Sequence, residues 1–583
     1  MDVTWLLRCL GCPPVKYSIT NFGKSDETDI DGNEPQGVLG AQSVPDAEHA
    51  IVLESLFHPE DPSQDQPYPY SQLDLPGYIA ELPSGLDPEV LRFLRNNGAL
   101  VIPTSGVTEE LLRAYVCYVH PFMPLLDIGP FIRAVDSDGE NNRISLLLFQ
   151  AVMFAGVTFV NQGSLERAGF QSHHKARTTF FDRVKLLYNA DTESDPTTLI
   201  QVLLLMTCYH EQPRNTKGSR HFLSAALCFA ADIGLDGSFE LESLPLAYRK
   251  FRRRLWSCCL TIDKFVSMSE CRAACIRPGN LNTSTLQLDD LNDTDLSDAL
   301  DRYYMRDRET DARILRKLSI MNAKLYALID RILDMLYIPT IHSGNLTINT
   351  KTVLVPKTSS RFAPDCMAFD QDLRKWYVEL STTEGSNVSR DHRRNGRVVG
   401  VHSAMVEMLY NTALILVHRP HVSLNHPENS GARSLQGFSK TVTKEAARRI
   451  TNIAIPLQEG NLLRFLPPVG VTALLTAARE HISDARPGGN TAISSEGRWY
   501  LDQTKMLLVH LQSVYGSAEW AVRLVESICT TLFSEHGLEA GNSDGDMPAS
   551  QELLNTGFAA ELLFSGRLDI ADLEESIDRS VVR

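Results

Sequence analysis

The chain has 583 residues, 56 Lys and Arg against 72 Asp and Glu for a formal charge of −16, with 43% hydrophobic and 22% charged residues. These proportions belong to a folded globular chain and exclude wholesale disorder, a collagen-like repeat and a membrane bundle. The acidic balance excludes a nucleic-acid binder whose whole surface takes part.

The N-terminal Trp5-Leu6-Leu7 meets Arg8 and Pro13-Pro14 too soon for the apolar core of a secretory signal, so no secretion is expected. Eleven cysteines, odd in number and scattered through apolar runs such as Met206-Thr207-Cys208, point to a reducing compartment. Cys9 and Cys12 are half a thiolate zinc site at most. Tetrahedral zinc needs four ligands and a two-zinc cluster needs six cysteines, yet the next cysteine is Cys117. The pair is read as two ordinary thiols. Gly23-Lys24-Ser25 ends like a phosphate-binding loop, but Ser18 stands where the first glycine belongs and no strand precedes it. From Lys24 to about Pro76 the sequence is crowded with Asp, Glu, Gly, Pro, Ser and Gln, so residues 1–100 are expected to be a mostly disordered acidic, proline-rich lead-in.

Beyond Pro103 the texture is helical. Thr108 is placed as an N-cap with Glu109 and Glu110 in the first turn, and Leu111, Leu112, Tyr115, Val116 and Val119 recur at helical spacing until Pro121 and Pro124. Further helices are predicted over 142–160, 172–189, 196–209, 217–234, 246–269, 310–336, 366–380, 399–418, 443–458, 467–484 and 496–533. The longest apolar run, Ile144 to Val160, is broken by Ser145, Gln150, Gly156 and Thr158 and falls short of the roughly 18 to 20 residues of a membrane span, so no membrane partner is expected. No long period-two alternation occurs, which leaves strands as a minor ornament. The fold class is therefore all-α: a large multi-helix regulatory domain over 101–535, between the disordered N-terminal lead-in and an acidic-hydrophobic segment over 536–583.

Three stretches carry candidate chemistry. On a helix, an Asp-Asp-x-x-Asp run can bridge magnesium ions that hold a diphosphate leaving group, and Asp289, Asp290 and Asp293 fit that run. No second metal motif follows, since Leu296 and Leu300 occupy the helical positions where it would fall; the competing reading is a solvated acidic loop. Gly541-Asn542-Ser543-Asp544-Gly545 has the pattern of a serine-hydrolase elbow but lacks the strand before it. The basic run Arg249-Lys250-Phe251-Arg252-Arg253-Arg254 reads as a nuclear localisation signal or phosphate patch. It also reads as a helix whose arginines face water or pair with acids while Leu255, Trp256, Cys259 and Leu260 face inward, and the two readings can hold together.

That basic run opens RRRLWSCCLTIDKFVSMSECRAACIRPGNLNTSTLQLDDLN, which holds Trp256, Asp263 seven residues later, Pro278 and Leu288-Asp289-Asp290. The stretch resembles the signature of the fungal-specific transcription factor domain family, the regulatory region of zinc-cluster regulators. Three other segments resemble family motifs in the family's order: Tyr118 to Leu126 with its His-Pro-x-x-Pro turn, GSRHFLSAALCFAADIGL from Gly218, and LYNTALILVHRP from Leu409. The resemblance covers roughly 105 to 535 and is closest to the cutinase transcription factor type. It implies a nuclear transcriptional regulator of a fungal metabolic or secondary-metabolite gene cluster. It also implies partners among the transcription machinery or coactivators, and a homo- or heterodimer. The chain is read as a non-enzyme, with no catalytic, cofactor-binding or metal-ligating residue assigned and no cofactor expected.

Members of the family usually carry a six-cysteine zinc cluster near the N-terminus. With only Cys9 and Cys12 there, DNA binding is expected to be indirect, or to depend on a zinc-cluster exon outside this sequence. In the tail, Phe558, Leu562, Leu563, Phe564, Leu568, Ile570 and Leu573 are read either as a coactivator-docking segment that folds on binding or as a last helix on the core. The alternative function is an all-α magnesium-dependent prenyl-diphosphate enzyme using Asp289, Asp290 and Asp293.

Overall fold

The computed structural model describes residues 75–534 apart from 141, 210–217, 238–243, 277–285, 292, 304–307, 342–351, 358–359, 383–396, 423–429 and 486–494. These residues contain seventeen α-helices, a few 3-10 turns and one two-stranded hairpin, as the all-α pattern predicts.

The first helix, α1 (Pro88–Asn96), falls inside the stretch expected to be lead-in. Asp87 Oδ1 accepts the Glu89 amide at 2.8 Å, Pro88 starts the helix and Leu94 is fully buried. An Asp cap followed by Pro at the first helical position is a strong local start signal, and the polar composition around it masks that signal. Just upstream, Ile79 bridges Ile144 and ties this segment to the core. The next helix, α2 (Ser105–Tyr118), begins three residues before the expected cap. Thr108 therefore lies within the helix, buried, with its hydroxyl donating to the Pro103 carbonyl at 3.2 Å.

After α3 (Ile128–Asp136) comes α4 (Leu146–Val157), which is apolar on every side and buried almost throughout. A helix of that composition belongs at a domain centre. It packs on α2, on α6 (His173–Asn189) and on α7 (Pro196–Met206), with the short α5 (Gln162–Arg167) between. Gly156 lets α4 approach α2 closely, since a Cβ there would lie 2.3 Å from the Leu111 carbonyl oxygen. Next follow α8 (Ser219–Asp232), the long α9 (Leu246–Glu270), α10 (Asp293–Tyr303) and α11 (Arg308–Leu336). The hairpin pairs β1 (Tyr337–Ile341) with β2 (Thr352–Pro356) in antiparallel register, Tyr337 opposite Pro356.

The second half is organised around α13 (Arg397–Val422), which packs on α11, α12 (Ala363–Ser381), α14 (Ser430–Glu459) and α15 (Val469–Ala485). By length and composition α13 could cross a membrane, but its apolar window is wholly buried within the protein. Each fully buried Leu, Ile or Val along it contributes about 1.5 to 3 kcal/mol relative to exposure. The predicted helix over 496–533 is two helices, α16 (Ser495–Gln512) and α17 (Gly516–Ser534). At the break Arg177 donates to the Val514 carbonyl at 2.6 Å, and the Tyr515 hydroxyl donates to the Leu466 carbonyl at 2.7 Å.

Candidate functional site

Three consecutive arginines on α9 serve three different segments. Successive helical side chains point about 100° apart, so one short run can reach around the helix. Arg252 donates to the carbonyls of Ile233 and Gly234, both at 2.8 Å, and so caps the open end of α8. Arg253 ion-pairs with Asp290. Arg254 is 5% exposed and donates to the carbonyls of Pro124 at 2.9 Å, Leu126 at 3.3 Å and Asp290 at 3.4 Å, and to the carboxylate of Asp127. A guanidinium out of water is tolerable only when its donors are satisfied in this way. Arg252, Arg253 and Arg254 are therefore a structural clamp: two of them pair with acids while Leu255, Trp256 and Cys259 face inward, as the helix reading expects, and a free phosphate patch does not describe these three. Trp256, Cys258, Cys259 and Ile262 fill the core side of α9.

Further along α9, buried Asp263 accepts the amides of Cys275 at 2.8 Å and Ile276 at 2.9 Å. Lys264 bridges Asp263 at 3.0 Å and Asp330 of α11 at 3.1 Å and donates to the Ile276 carbonyl at 2.7 Å. Burial pushes the Asp330 carboxyl up, against the pull of Lys264. Cys271 ends α9 with φ of 48°, the left-handed cap conformation, and its carbonyl accepts Leu354 of β2 at 2.6 Å.

The acidic run does not form the helix that a diphosphate-binding metal site requires. Leu288–Asp290 is a 3-10 turn, and Asp293 opens the separate α10. Asp289 is exposed, whereas Asp290 is buried and committed to Arg253 and to the Gln287 amide at 2.9 Å. The enzyme reading through Asp289, Asp290 and Asp293 is thereby corrected: the central carboxylate is a structural anchor facing an arginine. A pocket of about 30 Å³ at this junction, between Pro124, Arg254, Leu291 and Leu315, has room for little more than water.

Sequence reasoning missed a polar cluster between α12, α13 and α14. His418 Nδ1 lies 3.1 Å from Ser439 Oγ, and its Nε2 lies 3.2 Å from Asp370, which also accepts Arg374 at 2.7 Å. The order Ser-His-Asp matches a hydrolytic triad, yet His418 and Ser439 are both 0% exposed. With no access for a substrate carbonyl, the cluster binds three helices together. Burial acts to raise the Asp370 pKa, but hydrogen bonds from His418 and Arg374 outweigh it and hold the carboxyl below its ordinary value. The thiols of Cys117, Cys258 and Cys366 are each pushed up to about 12 by burial, which makes them inert packing groups.

A larger cavity, about 270 Å³, opens where the C-terminal half of α2 meets the ends of α4 and α10, the start of α13 and the 3-10 turn Leu463–Phe465. Arg113, Arg397 and Arg464 line it with Tyr118, Phe465 and Tyr303. No spacing in the sequence announces this set, because its members come from four distant segments.

Cys9 and Cys12, Gly23-Lys24-Ser25, Gly541 to Gly545 and the Phe558–Leu573 segment lie outside the described residues. Among the described residues no group of three or more His, Cys, Asp or Glu converges as a metal site.

The sequence pattern of the fungal specific transcription factor domain matches residues 112–360. Cutinase transcription factor 1 beta of Fusarium vanettenii is 30% identical over 471 residues, covering 78% of this chain and 53% of that protein. A transcription factor of Fusarium pseudograminearum is 31% identical over 86% of this chain and 58% of its own length. The transcription factor cpaR of Aspergillus oryzae is 31% identical over 72% of each. The chain thus spans little more than half the length of the first two relatives.

Proposed function

We propose that this chain, which belongs to the fungal-specific transcription factor domain family, regulates transcription in the nucleus with residues 101–535 as its regulatory domain. The observation that carries the reading is the junction at Arg254. It joins the turn after His120 to the Leu-Asp-Asp turn, while its neighbour Arg252 holds the end of α8. Family motifs scattered over some 170 residues thus support one another in a single packed unit. The reading makes the chain a scaffold for regulation that performs no reaction, and its targets the genes of a fungal metabolic or secondary-metabolite cluster. One of the similar proteins carries cutinase, an enzyme, in its name.

DNA contact, in this reading, lies outside residues 75–534. Arg252, Arg253 and Arg254 of the basic run on α9 are spent on carbonyls and carboxylates of the fold and are not available to phosphates. The reading of bases falls to a zinc cluster on further chain or on a dimer partner, and the regulatory domain engages coactivators or the transcription machinery.

The test is chromatin immunoprecipitation of the tagged full chain, combined with transcript profiling after deletion of its gene. Promoter enrichment at a co-regulated set of genes whose transcripts change on deletion is the expected result. Absence of promoter enrichment overturns the proposal.

A further inference from the structure

The 270 Å³ cavity combines features that an ordinary packing defect lacks. Its charged lining is three arginines, Arg113, Arg397 and Arg464, against one carboxylate, Glu110. Glu110 is already engaged by Arg167 at 2.8 Å and lies 3.8 Å from Arg113. A local surplus of positive charge thus sits in a chain whose overall formal charge is −16. Arg397 is the first residue of α13, so the positive end of a 26-residue helix dipole adds to the same field.

Glu110 Oε2 is buried in the wall with no hydrogen-bond partner among the described residues, 3.8 Å from Arg113. Arg464 is half-buried, which pulls its pKa down, and its guanidinium lies over the Phe465 ring at 4.6 Å. The Tyr303 hydroxyl is buried with no hydrogen-bond partner among the described residues. A half-buried and an exposed guanidinium beside a buried, unpaired phenol hydroxyl fit an anionic guest, which pairs with the first two and accepts a hydrogen bond from the third.

The rest of the wall is aromatic. Tyr118 stacks on Phe465 with ring centroids 4.4 Å apart and planes 11° from parallel, and Phe159 lies 5.7 Å from Tyr118. A cavity of about 150 Å³ accepts a benzene ring, so this one accommodates one ring with substituents or two fused rings.

We propose that this cavity binds a small aromatic carboxylate, its ring against Tyr118, Phe159 and Phe465 and its carboxylate held by Arg464 and Arg397. The Tyr303 hydroxyl donates a further hydrogen bond to the same carboxylate. The regulatory reading above enters only in treating such a ligand as an effector. By filling the cavity it joins α2, α10, α13 and the 463–465 turn, and so stabilises one arrangement of these elements.

Isothermal titration calorimetry on the full chain tests the proposal, with benzoate, cinnamate and 2-naphthoate as probes and their neutral amides as controls. The expected result is saturable one-to-one binding of at least one acid, with its amide weaker by about tenfold or more. Arg464→Gln and Arg397→Gln should each weaken the acid by a similar factor. Arg397 is exposed at a helix start, so its variant folds even if Arg464→Gln does not. The proposal is overturned if none of the acids binds at millimolar concentration, if amides bind as well as acids, or if Arg397→Gln leaves affinity unchanged. Binding is read on the isolated chain and promoter occupancy in the cell, so either result can fail while the other stands.

Discussion

Arg253 approaches Asp290 side-on: Nε, at 3.0 Å, and Nη2 both converge on the single oxygen Oδ1, which leaves Oδ2 to accept the Gln287 amide. The carboxylate thus holds α9 and shapes its own 3-10 turn at once. Asp290→Ala should cost about 2 to 4 kcal/mol, toward the lower end for a buried pair because Arg253 keeps some solvent contact. Asp289→Ala, on the exposed neighbour, should stay within about 0.5 kcal/mol of wild type. Urea denaturation midpoints decide, and equal effects at the two positions would refute the anchor role.

Arg254 is the more demanding residue, since its donors serve three carbonyls and the Asp127 carboxylate. Arg254→Ala should destabilise by about 3 to 5 kcal/mol, and Arg254→Lys should recover little because an ammonium cannot span that fork of acceptors. Loss of nuclear accumulation in a variant changed at Arg252, Arg253 and Arg254 would therefore report unfolding. Limited proteolysis of the same variant distinguishes the two: a protease-resistant variant excluded from the nucleus would restore the localisation signal.

Burial at Glu407 on α13 pushes its carboxyl up to about 7, a shift that Arg449 only partly opposes. The ordinary value is 4.5. Between these two values the unfolded chain holds fewer protons than the folded one, so this residue lowers stability as pH rises through that window. The loss is on the order of 3 kcal/mol once both forms are ionised. Glu407→Gln should match wild type near pH 5 and be more stable at pH 8. Parallel stability curves for the two proteins across that range would contradict this.

Gly156→Ala should separate α4 from α2, because the added methyl carbon meets the Leu111 carbonyl at 2.3 Å, a backbone atom with little freedom to move. Overpacking of this kind costs about 1 to 3 kcal/mol. Thermal melting of the variant is the measurement, and an unchanged midpoint would rule out the close crossing.

What the sequence made legible was mostly apolar pattern. The run around α4 and the Leu-Tyr to His-Arg-Pro helix of α13 announce themselves as core, and the order of motifs around Trp256 places the family. Local signals were missed where neighbours drowned them, as at Asp87-Pro88, or where a near match competed, as with Thr108 three residues inside α2. The break at Ser513 was invisible for a different reason: it is fixed by Arg177, 337 residues away. The inward turn of Arg252 and Arg254 was hidden because most of their partners are backbone carbonyls, which carry no residue identity. The cavity's arginines at 113, 397 and 464 likewise meet only through the tertiary fold.

The matched family pattern stops at residue 360, but hydrogen bonds cross that point in both directions. His402 of α13 bonds the Cys117 carbonyl at 2.8 Å, the Tyr337 hydroxyl donates to Leu416 at 2.9 Å, and the Trp376 indole donates to Met321 at 3.0 Å. A fragment cut at the pattern's edge would surrender the central helix and expose the apolar bed in which it lies. The stretch that the family pattern matches is thus narrower than the stretch that can stand by itself, and autonomy begins only when the helices beyond 397 are included.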